Sequence, residues 1–195
     1  MKHLKLSLLS ILLVPALVFA HGPSRQKVVE EIEINAAPDK VWGIVKDFCS
    51  IQDWHSGIKS CTADKGSEIG SIRTIELENG EKITEKLFKF DADKKKILYA
   101  MEQLEKDRII PGLPVATLSS TITITDNGGK SKVQFKVAFY RAFPGPQPPA
   151  DQTYAACIEA ITKQYKTGLE GIKALAEKQY YYRVLNIHLH SNTSK

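Results

Sequence analysis

"SIRTIELENGEKITEKLFKF", residues 71–90, is the stretch that decides the fold. Two alternating runs flank Asn79-Gly80, which is the pattern of a β-hairpin. Arg73, Ile75 and Leu77 share one face of the first run, and Ile83, Glu85 and Leu87 share one face of the second. A two-residue turn would put these sets on opposite sides of the sheet, because one residue of slip flips every side chain. A loop one residue longer, or a glycine bulge, brings them together. That register gathers four aliphatics on one side and turns Arg73 and Glu85 inward with them, in diagonal positions close enough to interact. An unpaired buried charge is very costly, so these two must pair with each other or with a ligand. The pair is then either a salt bridge within the wall or a polar anchor in an apolar hollow.

Working outward, "KVVEEIEINA" alternates, with Val28, Ile32 and Ile34 on one face and Glu30 an exception on it. "IKSCTAD", "KKILYAMEQL", "ATLSSTITIT" and "KVQFKVAFY" also read as strands, bounded by turn residues. Between the first two strands, "APDKVWGIVKDF" has Pro38 in a first helical turn and Val41, Trp42, Val45 and Phe48 at helical spacing. "SIQDWHSG" reads as a second short helix, with Ser50 as N-cap and Gly57 as stop. After "PGPQPPAD" one long helix carries a stripe of Tyr154, Ile158, Ile161, Tyr165, Leu169, Ile172 and Leu175. Gly168 and Gly171 interrupt that helix at about 1 kcal/mol each. They either admit a closely approaching neighbour or are tolerated weak spots.

The order predicts an α+β fold, a curved antiparallel seven-stranded sheet wrapped around a long C-terminal helix, with two short helices after strand 1. A helix laid in a curled sheet leaves a hollow, and a hollow is the default ligand site. Alternation turns Tyr99, Leu118 and Phe139 inward from the sheet, and the helical stripe does the same for Tyr154 and Ile158. Trp54 and His55 fall at the hollow's rim. In the plainest reading there, the Trp is a plug and the His is solvated.

The first twenty residues have a short basic start, an apolar run broken by Pro15, and Val18 and Ala20 as small residues before a cleavage point. They read as an export signal cut after Ala20, giving a periplasmic chain, and the run is too short to span a bilayer stably. Residues 21–178 then form one domain, and 179–195 a tail with no helical stripe. The chain carries 27 basic and 22 acidic residues; without Lys2 and Lys5 it keeps 25 against 22, a net of +3. That excess is too mild for nucleic acid and weakly favours an acidic protein partner.

"DFCSIQDWHSGIKSC", residues 47–61, holds Cys49, His55 and Cys61. A structural zinc site wants four ligands with two close pairs, which is not the spacing here. Nothing sets His55 beside either thiol as a base. Of the three cysteines, Cys49 and Cys61 are the nearest pair for a disulfide in an oxidising compartment, and Cys157 reads as a small buried hydrophobe. No metal or other cofactor is called for.

"AAPDKVWGIVKDF…DWHSGI", "GSIRTIELENGEKITEKLFKFD", "LPVATLSSTITI" and "KVQFKVAFYR", in that order, resemble the START-like polyketide cyclase superfamily, also called SRPBCC. "HGPSRQKVVEEIEI", the "DWH" and "GLEGIKAL" look most like the MxaD-type periplasmic proteins of methanol oxidation. The resemblance covers about residues 21–176. It implies a helix-grip fold with an internal cavity, and an accessory role beside a periplasmic quinoprotein methanol dehydrogenase and its cytochrome c partner. Leu118 departs from it, standing where relatives often carry an aromatic, and so does the tail. The leading expectation is a non-enzymatic binding protein for a small apolar or amphipathic ligand. The alternatives use the same hollow: a cyclase or dehydratase with Glu85 or His55 as acid–base group, or a lipid or quinone carrier. A carboxylate held by a guanidinium is a poor base, which favours the first.

Overall fold

The computed structural model describes residues 22–102, 104–105 and 108–191, with backbone alone for 179–191. The expected export signal lies outside the described residues. Seven strands form a single antiparallel sheet: β1 (Gln26–Ile34), β2 (Ile58–Ala63), β3 (Ile72–Leu77), β4 (Lys82–Asp91), β5 (Lys96–Met101), β6 (Val115–Asn127) and β7 (Lys130–Arg141). Strands β2 to β7 follow one another as a meander, and β1 closes onto β7, giving the order β1-β7-β6-β5-β4-β3-β2. Helices α1 (Pro38–Val45) and α2 (Ile51–Trp54) bridge the two edges, and α3 (Tyr154–Ser191) packs against the sheet. This is the α+β helix-grip plan expected. Register breaks beside Lys59, Phe88 and Ala116 supply the extra residues that bend and twist strands, so the sheet curves.

The hairpin takes the longer loop. Residues 78–80 connect the strands, Gly80 sits at φ +85°, and the Leu77 N–H donates to the Glu81 carbonyl at 2.8 Å. Asn79 and Gly80 thus close a three-residue turn that holds all six inward positions on one face. One detail differs. Arg73 lies directly opposite Glu85, not diagonal to it, because Ile75 pairs with Ile83 and fixes the count.

On α3 the buried line runs through Cys157, Ile161, Leu169, Ile172 and Ala176. Cys157 and Ile158 differ by about 100° around the helix, and the sheet takes the former. Ile158 is therefore 37% exposed. The helix also continues past residue 178, where the apolar stripe stops. No glycine or proline lies between 172 and 191, and backbone hydrogen bonding propagates along such a run once it has begun.

Both helix glycines admit close approach. A Cβ on Gly171 would overlap the Trp54 carbonyl, and one on Gly168 would meet the Trp54 ring at 2.9 Å. Cys49 and Cys61 form a disulfide that ties the start of α2 to β2. Cys157 is buried, its thiol donating to the Pro114 carbonyl at 3.2 Å.

Candidate ligand-binding site

A cavity of about 90 Å³ opens between α2, α3 and strands β2–β7. Its walls are Ile51, Ile58, Ile75, Leu77, Ile83, Leu113 and Leu118, with the rings of Trp54, Tyr99, Phe135 and Tyr165. The polar groups facing it are few: His55, Glu85, Gln164 and the two phenols. An apolar wall with a few placed polar groups is the usual build of a small-molecule site.

The pair predicted from the hairpin stands in this wall. Arg73 is 3% and Glu85 5% exposed. Arg73 Nε donates to Glu85 Oε2 at 2.7 Å, and Nη2 lies 2.5 Å from the same oxygen. Nη1 donates to the Phe48 carbonyl. The guanidinium is sandwiched between two rings, 4.3 Å from the Phe48 centroid and 4.5 Å from that of Tyr99. Nη2 touches Glu85 off the line of its N–H bonds, so it counts as an ion-pair contact without a directed hydrogen bond. Glu85 lines the cavity, whereas Arg73 lines a second void of about 10 Å³ behind it, between Val45, Asp47, Ile97 and Ile122. Trp54, Tyr99 and Phe135 face both spaces and separate them.

The rim is set by α2. Trp54 Nε1 donates to Ser50 Oγ at 3.2 Å, and Ser50 Oγ donates to the Asp47 carbonyl at 2.8 Å. Ser50 is therefore not the side-chain N-cap its position implied; its own backbone is helical and its hydroxyl aims the indole. His55 is buried, not solvated. Its Nδ1 accepts from the Gly57 N–H at 3.1 Å, which leaves Nε2 as the donor to the Gln164 carbonyl on α3 at 3.0 Å. Burial pushes the imidazole below its usual value, so the ring is neutral around pH 7. Burial likewise pushes the Tyr99 phenol up to about 12 and raises Tyr165 well above the usual range. Tyr165, which lines the cavity, shares a hydrogen bond with the buried Ser120.

Of the nine residues expected to contact ligand, Trp54, His55, Glu85, Tyr99 and Leu118 line the cavity and Arg73 stands directly behind it. Three are elsewhere. Phe139 is fully buried in solid core, because alternation fixes a side chain's face and not its depth. Tyr154 lies beneath the Arg141 guanidinium, 4.5 Å from ring centroid to carbon, and its hydroxyl accepts from the Ser24 N–H at 2.6 Å. Ile158 faces solvent for the reason of helix phase given above. The cavity-lining residues missed include the aliphatic wall and Phe135 and, on α3, Gln164, Tyr165 and Gly168. Tyr165 lay in the stripe and Gly168 was marked for close approach, so their signals were visible without pointing to a cavity. Among the described residues no cluster of three or more His, Cys, Asp or Glu is placed to hold a metal ion, and no helix is long and apolar enough to cross a membrane.

Residues 25–177 match the family described as polyketide cyclase / dehydrase and lipid transport, and the chain belongs to it. No curated protein matches the chain in sequence. Among solved structures, the aromatase/cyclase ZhuI of Streptomyces sp. R1128 aligns with a TM-score of 0.66 at 13% identity, over 80% of this chain and 96% of that one. XoxI from Bacillus cereus gives 0.64 at 21% identity, over 79% and 97%. An uncharacterised Bacillus thuringiensis protein gives 0.62 at 21% identity, over 77% and 98%. At these identities the likeness is one of fold.

Proposed function

We propose that this protein is a non-enzymatic binding protein that encloses a small apolar or amphipathic ligand in the cavity beside Glu85. The arrangement of the two acid–base candidates carries this reading. Glu85 is committed to a guanidinium, and His55 spends both ring nitrogens on the backbone of α3 and of Gly57. A general acid or base must change its protonation state at a substrate atom: a proton on Glu85 would leave the buried Arg73 guanidinium unpaired, and neither ring nitrogen of His55 is free to reach a substrate. Both instead stiffen a pocket, as a binding site requires.

The finer reading is an accessory protein of the periplasm, working beside a quinoprotein methanol dehydrogenase and its cytochrome c. It rests on the order of the motifs quoted above, on the signal-like start, and on the mild positive charge suited to an acidic partner. Native mass spectrometry of the protein isolated from its own cells tests both levels. A co-purifying small molecule, lost on denaturation, is the expected result, and a bound dehydrogenase or cytochrome would support the accessory role. If instead a cyclisation or dehydration were found that Glu85→Gln abolished in a folded protein, the enzyme reading would replace this one.

A further inference from the structure

The cavity and the inner void lie on opposite sides of one ion pair. Glu85 lines the cavity and not the void, and Arg73 lines the void and not the cavity. The guanidinium is held back by the Phe48 carbonyl and by the Phe48 and Tyr99 rings. Glu85 gives Oε2 to Arg73; among the described residues its Oε1 accepts no hydrogen bond, and it is open to the cavity. What a ligand meets at the polar end is an acceptor oxygen whose charge is already balanced from behind. The other polar groups do not select a charge. His55 and Tyr165 are engaged by protein atoms, and Tyr99 and Gln164 are neutral.

Resting on the binding function argued above, we infer that the ligand is a small apolar molecule with one neutral hydroxyl, an alcohol or phenol, which donates its hydrogen to Glu85 Oε1. A carboxylate in the same place would face a like charge, with the guanidinium screened behind it. An ammonium would give up its hydration to meet a carboxylate that already has a partner. A plain hydrocarbon would cover Oε1 and leave it with neither water nor donor. Size narrows the class further. A cavity of about 150 Å³ holds one benzene, so a cavity of about 90 Å³ takes no more than one ring, with part of it in the open mouth. Four aromatic rings in the wall suit a flat guest.

Titration calorimetry near pH 7 with phenol, toluene, benzoate and benzylamine tests this on the full chain. Phenol is expected to bind at least about tenfold more tightly than the other three. The double variant Arg73→Met/Glu85→Leu, which replaces the ion pair with apolar side chains, is expected to lose most of the preference for phenol over toluene. Should that variant fail to fold, the wild-type series decides alone. If toluene, benzoate or benzylamine equals phenol, the inference is overturned while the cavity keeps its binding role. If none of the four binds, the binding function itself falls, and this inference with it.

Discussion

Two spaces flank the Arg73–Glu85 pair, and they were built from the same kinds of residue. Behind the guanidinium, α1, α2 and the centre of the sheet bring Val45, Ile97 and Ile122 together and leave about 10 Å³. Ahead of the carboxylate, Ile75, Ile83 and Leu118 stand apart around about 90 Å³. The difference comes from what covers each side. The rear is roofed by α1, whose Val41 and Val45 are buried. The front is roofed by a four-residue helix, α2, hung on α3 at two glycines and tied to β2 by a disulfide. A short element held at points cannot fill a space that a longer packed one fills. Rigidity on that side has to come from the pins, and each pin can be pulled.

Separating the ion pair should have the largest effect. Glu85→Leu alone leaves a buried guanidinium unpaired and is expected to cost about 3–5 kcal/mol, while adding Arg73→Met should recover most of that loss. Denaturant unfolding of the singles and the double measures it. Removing the disulfide by Cys49→Ser/Cys61→Ser should cost about 2–3 kcal/mol for a loop of this size. It should also shift Trp54 emission while the melt of the sheet core stays cooperative.

A smaller effect is expected at the glycines. Gly171→Ala pushes against the Trp54 carbonyl and should lose about 1–3 kcal/mol. Gly168→Ala meets a ring that can tilt, and the gain in helix propensity of about 1 kcal/mol should leave it near neutral. Thermal melts of the two variants would show whether the contact on backbone is the harder one.

The smallest is a pH effect at His55. Its folded value lies below the ordinary 6.5 through burial, so above that pH both folded and unfolded chains hold it neutral. As pH falls below it the unfolded chain takes the proton first, and stability drops until the folded value is passed. The loss should be absent at about pH 7 and present at about pH 5. Comparing wild type with His55→Gln between about pH 7 and 5 isolates it; parallel curves would remove His55 from the account.

Much of this was legible in the chain. Alternation set Arg73 and Glu85 each on a face with aliphatics, and the need to gather those four aliphatics on one side picked the longer loop that lets the pair meet. Closeness in sequence picked the cysteine pair that bonds. What could not be read was depth. Phe139 and Tyr99 alternate alike, yet one is solid core and the other cavity wall, because period reports a face and the roof decides the space above it. Helix phase was blurred in the same way. Cys157 and Ile158 are both apolar, and only the sheet's position chooses between them. His55 looked solvated because its partner, the Gln164 carbonyl, is a backbone atom 109 residues away that carries no side-chain signal.

Methyl-selective NMR during a phenol titration tests the central claim most directly. The account predicts shifts concentrated at Ile75, Ile83, Leu113 and Leu118 around the cavity, with Ile34 and Ile161 in the solid core unmoved. Shifts confined to exposed methyls such as Ile69 and Ile158, or none at saturating phenol, would contradict it.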